Sequence, residues 1–233
     1  MITSLTNQVV KDLVKLNTSK GRKEAGLFIV EGRHLVLEAI KAGVLVKAYT
    51  IKDDLEGEKV SEQVMKKICN TNTVVNQIGI CKFIEKRELS DKILILDGVQ
   101  DPGNLGTLMR SAKAFNFNTI FLSDGTVDPY NDKVIRSSQG AIFKLNIIQG
   151  NIIDFLNKIS DYDIYSTNVI NGIDIRDANI SKKIALILGN EGNGVSDEVK
   201  ALNLKNLYIS MDNMESLNVS IAGSILMYEI SKK

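Results

Sequence analysis

Apolar residues along the chain recur in two periods, and the alternation between them predicts an α/β protein. Leu5, Val9, Leu13 and Leu16 fall at helical spacing over residues 4–16, a basic turn NTSKGRKEAG follows, and LFIVEG then reads as a strand. A helix near 32–42, an alternating strand in VLVKAYTIK, a helix over 58–68 and a strand in TVVNQI complete a small α/β unit ending near residue 88. Beyond the polar stretch EKRELSDK, apolar runs at 93–97, 119–122, 142–148, 163–167, 184–188 and 206–210 alternate with helical patterns. That alternation is the mark of a mostly parallel sheet covered on both faces. The closing helix carries Leu217, Ile221 and Ile225 with Ala222 and Leu226 alongside, a stripe suited to packing on a sheet. Its first turn opens instead with Glu215, Ser216 and Asn218, polar groups that either cap the helix or face something bound.

Length changes the picture little: 233 residues suit one large domain or two ordinary ones. A 44% apolar and 24% charged composition with two prolines excludes a disordered chain. No apolar run approaches the roughly 20 residues of a membrane span, and MITSLTNQVVKDL lacks the layout of a secretion signal, so a cytoplasmic protein is expected. Cys69 and Cys81 are too few for a disulfide framework and form no metal cluster with the lone His34; both read as core thiols, and no metal site is expected. Net charge is more informative once divided. Residues 1–90 hold 15 Lys and Arg against 11 Asp and Glu, and the remainder 14 against 17. Lys11, Lys15, Lys20, Arg22 and Lys23 meet only Asp12 in the first 23 residues, a run that is either a solvated helix face or a contact for a polyanion.

In open α/β sheets ligands bind beyond the carboxyl ends of the strands, which directs attention to DGVQDPGNLGTLMRSAKAFN, LGNEGNGVS and ISMDNMESLNVSIAG. In the first, Pro102 fixes a turn, Gly103 and Gly106 permit close backbone approach, and Asn104 can cap a helix bearing Arg110 two turns on. In the second, Gly189, Gly192 and Gly194 surround Glu191 where a strand turns into a helix. The pattern is neither a Walker loop nor GxGxxG with a downstream ribose acid, which counts against ATP and NAD.

These three segments, in this order, resemble the three motifs of the SpoU (TrmH) family of RNA ribose 2′-O-methyltransferases, within the SPOUT superfamily. NQVVKDLVKLNTSKGRKEAGLFIVEGRHLVLEAI resembles the L30e-like substrate-binding domain of many members, and RSSQGAIFKL a recurring segment between the first two motifs. The resemblance implies an L30e-like RNA-binding domain over 1–88 and a SPOUT catalytic domain over 89–233. The second domain would be threaded as a C-terminal deep trefoil knot, which no periodicity shows and which protein chains almost always avoid. It also implies S-adenosylmethionine as cofactor, a homodimer with the closing helix near its interface, and structured RNA, ribosomal RNA first, as substrate.

Methyl transfer to a ribose hydroxyl needs positioning more than any single side chain. By motif position, the resemblance assigns Asn104, Arg110, Glu191, Ser216 and Asn218 to catalysis. It assigns Thr167, Leu188, Gly189, Ile209, Met211, Ser216 and Leu217 to the cofactor. Lys20, Arg22 and Lys23, with Arg110, are the candidates for RNA contact. The family proposal makes the motif-one arginine a general base; a guanidinium pKa above about 12 favours Arg110 as a phosphate clamp and alkoxide stabiliser. Ser210 stands where proline is frequent, a change expected to loosen its loop, and Asn116 where glycine is common, in a left-handed position asparagine tolerates. Two other outcomes fit the same residues: an RNA-binding assembly factor that has lost catalysis, and an enzyme conferring antibiotic resistance.

Overall fold

The computed structural model describes residues 1–71, 73–168 and 172–233. In chain order its elements are helices α1 (Gln8–Lys15) and α2 (Ser19–Ala25), strand β1 (Leu27–Glu31), α3 (Arg33–Lys41), β2 (Leu45–Thr50), β3 (Glu58–Lys59), α4 (Glu62–Ile68) and β4 (Gln77–Lys82). Then follow β5 (Lys92–Leu96), α5 (Pro102–Ala114), β6 (Thr119–Ser123), α6 (Asp132–Ser138), a 3₁₀ turn (Ala141–Lys144), β7 (Asn146–Gly150), α7 (Ile152–Lys158) and β8 (Asp163–Thr167). The chain ends with β9 (Ile173–Asp174), β10 (Ile184–Leu188), α8 (Asp197–Lys200), β11 (Lys205–Tyr208) and α9 (Val219–Ser231). Two compact units result: Met1–Ile84 with Asp128–Phe143, and Glu85–Val127 with Lys144–Lys233. A single division at residue 88 differs from this in two respects, the boundary after Ile84 and the return of 128–143 to the first unit.

The first unit is a four-stranded sheet ordered β1-β4-β2-β3, with β4 antiparallel to both neighbours and β3 parallel to β2. Val10 and Leu13 of α1, Val64, Met65 and Ile68 of α4, and Ile29, Tyr49, Ile78 and Ile80 of the sheet form its core. The basic stretch expected as a turn is helix α2, capped by Thr18, whose Oγ1 accepts from Gly21 N at 3.1 Å, and ended by Gly26 at φ 65°. Gly21 is required there, because a Cβ would sit 2.1 Å from Lys15 O. The strand expected in TVVNQI lies further on, at Gln77–Lys82, where five consecutive positions are buried; Val74 is exposed.

Residues 128–143 complete this unit. Arg22, 5% exposed, donates through Nη1 to Leu16 O at 3.0 Å and through Nη2 to Asp128 Oδ2 at 2.6 Å. Its placement among RNA-contacting residues is thereby corrected: the guanidinium is buried, with Nη1 and Nη2 bonded inside the unit and Nε without a partner among the described residues, while Lys20 and Lys23 remain exposed. Tyr130 stacks on Phe83 at 4.4 Å and lies 4.7 Å from Phe28, with Phe143 next to Phe28. Within RSSQGAIFKL, Gln139 and Gly140 take positive φ, and a Cβ on Gly140 would come 3.0 Å from Glu38 Cγ. Cys69 and Cys81 are buried, and burial pushes both thiols up to about 12, so they stay protonated.

The second unit is a seven-stranded sheet ordered β7-β6-β5-β10-β8-β11-β9 in which every pairing is parallel. β6 and β10 are buried along their whole length; β10 is apolar throughout, and β6 carries Thr119 and Ser123 at its two ends. The run at 142–148 divides into the 3₁₀ turn and β7, and the two-residue β9 is too short to show a period. Asn116 adopts φ 63°, the left-handed conformation expected of it. Helix α9 packs on α5 with Ser220, Gly223, Leu226, Met227 and Ile230 inward. The expected stripe is split: Leu217 precedes the helix and lines the cavity described below, Ile221 is on the outer face at 53% exposed, Ile225 is half-buried, and Leu226 alongside is buried. Gly223 decides the orientation: a Cβ there would meet Leu188 Cδ1 at 2.5 Å and Leu108 Cδ2 at 2.6 Å, so that turn must be the close-packed one.

Candidate active site

Three loops leave the carboxyl ends of β5, β10 and β11, and each is shaped by its own short-range chemistry. After β5, Asp101 rather than Asn104 is the N-cap of α5: its Oδ1 accepts from Asn104 N at 2.8 Å, with Pro102 at the first helical position. After β10 the chain folds back, Asn190 and Gly194 exchanging backbone hydrogen bonds of 2.8 and 3.0 Å. Gly189 permits that fold, since a Cβ would lie 2.0 Å from Gly194 C. Asn190 braces the loop, accepting from Gly192 N and Asn193 N and donating to Gly98 O at 2.8 Å. Asp97, buried at the end of β5, accepts from Ser196 N at 2.7 Å and fixes the far side.

Glu191 is displayed at the tip of this loop and ties it to the first segment, from which Asn104 reaches the third. Its carboxylate accepts from Gln100 N at 3.2 Å, Asp101 N at 3.1 Å and Asn104 Nδ2 at 3.0 Å. Partial burial raises its carboxyl, but the hydrogen bonds from Asn104 and the backbone outweigh burial and hold it below its ordinary value. An ionised carboxylate only accepts, and this dictates every orientation that follows. Asn104 must turn its amide nitrogen to Glu191, so its Oδ1 faces Asn218, which donates from Nδ2 at 3.0 Å. Asn218 then has its own Oδ1 left to cap α9, accepting from Ser220 N at 2.9 Å and Ile221 N at 3.4 Å. Asn218 is therefore a helix cap and a member of the polar chain at once.

Beside this chain lies a cavity of about 530 Å³. Thr167, Leu188, Gly189, Ile209, Met211, Ser216 and Leu217, the seven residues assigned to a cofactor, all line it, as do Glu191 and Asn218. Thr167 is held by donating from Oγ1 to Ile187 O at 3.0 Å. Asn168, Asn190, Tyr208 and Leu226 also line the cavity and were not foreseen; the first three lie at or just after strand ends, which was the available signal, while Leu226 comes from the middle of α9. Arg110 is not gathered in. It is exposed on α5, six residues beyond Asn104, and does not line the cavity. Ser210, in the loop that its change from proline is expected to loosen, accepts through its hydroxyl from Arg176 at 2.6 Å, a bond proline could not make. Among the described residues no group of three His, Cys, Asp or Glu could hold a metal ion.

Residues 91–228, which carry all three loops, match the family described as the SpoU rRNA Methylase family. The chain belongs to that family. Residues 7–79 match the MRM3-like substrate binding domain. Among SpoU relatives, the 23S rRNA (guanosine(2553)-2′-O)-methyltransferase RlmP of Bacillus subtilis is 35% identical, over 98% of this chain and 98% of that one. A crystal structure of an rRNA methyltransferase from Sinorhizobium meliloti superimposes with a TM-score of 0.88 at 29% identity, covering 99% of this chain and 96% of that one. The AdoMet-bound form of a Sinorhizobium meliloti rRNA methyltransferase gives 0.87 at 28%, covering 99% and 97%. The parallel-sheet core is thus the one found in solved SpoU-type structures.

Proposed function

We infer that the chain is an S-adenosylmethionine-dependent RNA 2′-O-ribose methyltransferase acting on ribosomal RNA. The observation that carries this is the continuous polar chain Glu191–Asn104–Asn218 set against a cavity lined by all seven cofactor candidates. The cavity suits the cofactor: about 530 Å³ lies within the roughly 300–1,000 Å³ of small-molecule sites. Strand-end backbone at Leu188, Gly189 and Ile209 offers hydrogen-bonding edges, and Leu217 and Leu226 offer apolar cover. RlmP and the AdoMet-bound Sinorhizobium relative support the same activity and cofactor.

Bound there, S-adenosylmethionine supplies a methyl group activated by its sulfonium. The protein's task is to hold a ribose hydroxyl in line with that methyl, and positioning of this kind is worth about 7–11 kcal/mol. Glu191, fixed as an acceptor, orients the Asn104 and Asn218 amides, and these present a preorganised edge beside Ser216 to the substrate. Arg110, exposed and cationic, clamps an RNA phosphate and steadies the developing alkoxide, while a phosphate oxygen or water takes the proton. A pH–rate profile with an essential group that vanishes in Arg110→Lys would assign the base role to Arg110 instead.

The finer architecture belongs to the same proposal. The chain leaves β11 near the sheet edge and returns past the 189–196 loop to lay α9 on α5, which supports a deep trefoil knot. The mixed sheet of the first unit, with the substrate-binding match, supports an L30e-like RNA-binding role. Ile221 and Tyr228, 53% and 45% exposed and seven residues apart, give α9 an apolar outer face suited to a homodimer. A cytoplasmic location accords with the described helices, none long and apolar enough to cross a membrane.

The direct test is incubation of the protein with labelled S-adenosylmethionine and ribosomal RNA from cells lacking it, with the 2′-O-methyl site mapped. Methyl incorporation at one ribose, unchanged by EDTA, is expected. Loss of activity on chelation, restored by Mg²⁺, would defeat the metal-free form of the reading. For RNA contact, Lys20→Ala with Lys23→Ala should weaken binding by about 1–2 kcal/mol and flatten its salt dependence by nearly two phosphate contacts. Cofactor affinity should not move. RNA affinity unaltered in that double variant would return the two lysines to an ordinary solvated helix face.

A further inference from the structure

Residues 209–217 run from β11 to α9 without helix or strand, yet Ile209, Met211, Ser216 and Leu217 form part of the cavity wall. A wall of irregular chain keeps its shape only when something ties it down. Among the described residues, 210–217 are joined to the rest of the fold by hydrogen bonds through Ser210, whose Oγ accepts from Arg176 Nη2 at 2.6 Å. The arginine, its side chain 69% exposed, is itself paired. Its Nε and Nη2 donate to Asp174 Oδ1 and Oδ2 at 2.9 and 2.7 Å, a two-pronged pairing that fixes the plane of the guanidinium. Its backbone N–H donates to Asp174 Oδ1 at 2.9 Å. Asp174 is a buried residue of β9, and the Arg176 guanidinium beside it holds its carboxyl well below the usual carboxylate range. Lys233 Nζ braces the same turn, donating to the carbonyls of Arg176 and Ala178 at 3.2 and 2.5 Å.

We propose that Arg176 is a positioning residue for the cofactor: seated on Asp174, it holds the 209–217 stretch through Ser210 in the shape that closes one side of the cavity. This rests on the S-adenosylmethionine reading of that cavity. Arginine suits the task because one planar fork serves two partners at once, the carboxylate on one edge and the hydroxyl from the same Nη2, which a lysine ammonium does not reproduce. Without the tether, the stretch has to be ordered at the moment of binding, and the cost appears as lost cofactor affinity.

The test is calorimetric titration of the full chain with S-adenosylmethionine, with thermal melting and RNA binding measured in parallel. Arg176→Ala and Ser210→Ala should each weaken cofactor binding by about tenfold, the value of one charge-assisted hydrogen bond. Because they break one tether, the double variant should be no worse than either single one. Ser210→Thr, which keeps the hydroxyl, should bind as wild type does, and RNA affinity should be unaltered throughout. Arg176→Ala leaves a buried carboxylate unpaired and is the more exposed to misfolding; Ser210→Ala leaves the Asp174–Arg176 pair intact and decides the matter in folded protein. Cofactor affinity in Ser210→Ala within about twofold of wild type would overturn the tether. Wild-type protein that binds no S-adenosylmethionine would overturn the cofactor reading itself, a distinguishable result.

Discussion

Asn218→Asp protein is expected to fold with near wild-type stability and to lose turnover by about 100-fold or more in single-turnover methylation. The two effects separate because Asn218 acts through two different atoms. Its Oδ1 caps α9, and a carboxylate does this equally well at a helix N-terminus. Its Nδ2 donates to Asn104 Oδ1, and a carboxylate cannot donate. The Asn104 amide would then lie between two acceptors, Glu191 and residue 218, with a single donor end to offer. Asn218→Ala should show both losses together, about 0.5–2 kcal/mol of stability and the same fall in rate. Near wild-type rates in folded Asn218→Asp protein would mean that the polar chain organises nothing and that Asn218 is only a cap.

The second large effect concerns stability. Asp128→Ala should destabilise the first unit by about 3 kcal/mol, read as a lowered melting transition of the full chain, because it strands the buried Arg22 guanidinium without its carboxylate. Removing both charges, with Arg22→Met and Asp128→Ala together, should recover most of that loss. For the same reason residues 1–88 expressed alone should fail to melt cooperatively, since Phe28 and Phe83 would also lose Tyr130. A melting curve of Asp128→Ala matching wild type, or a cooperative transition in the isolated fragment, would show that 128–143 is dispensable to this unit.

Sequence determined what repeats locally. The central strands of the large sheet announce themselves by apolar runs, because a strand buried on both faces needs apolar residues at nearly every position. Once the strands are located, the segments after them are known to meet at one edge of the sheet. That is why three separate motifs could point to one cavity; the seven cofactor candidates that the family resemblance assigned all line it. What sequence could not contain was partnership at a distance. Arg22 sits in a run of lysines that looks uniformly solvated, and only folding brings Asp128, 106 positions away, to its guanidinium. The apolar stripe of α9 was visible, but its direction was not. Side chains at 217, 221 and 225 fit an inward or an outward face equally well by period alone, and the close approach at Gly223 decides between them. The division of roles between Asp101 and Asn104, either of which can cap a helix, was settled by the Glu191 carboxylate arriving from a loop 87 residues away. Periodicity is a property of neighbours along the chain; charge pairing, helix orientation and the polarity of an amide depend on neighbours in space, which only the tertiary structure supplies.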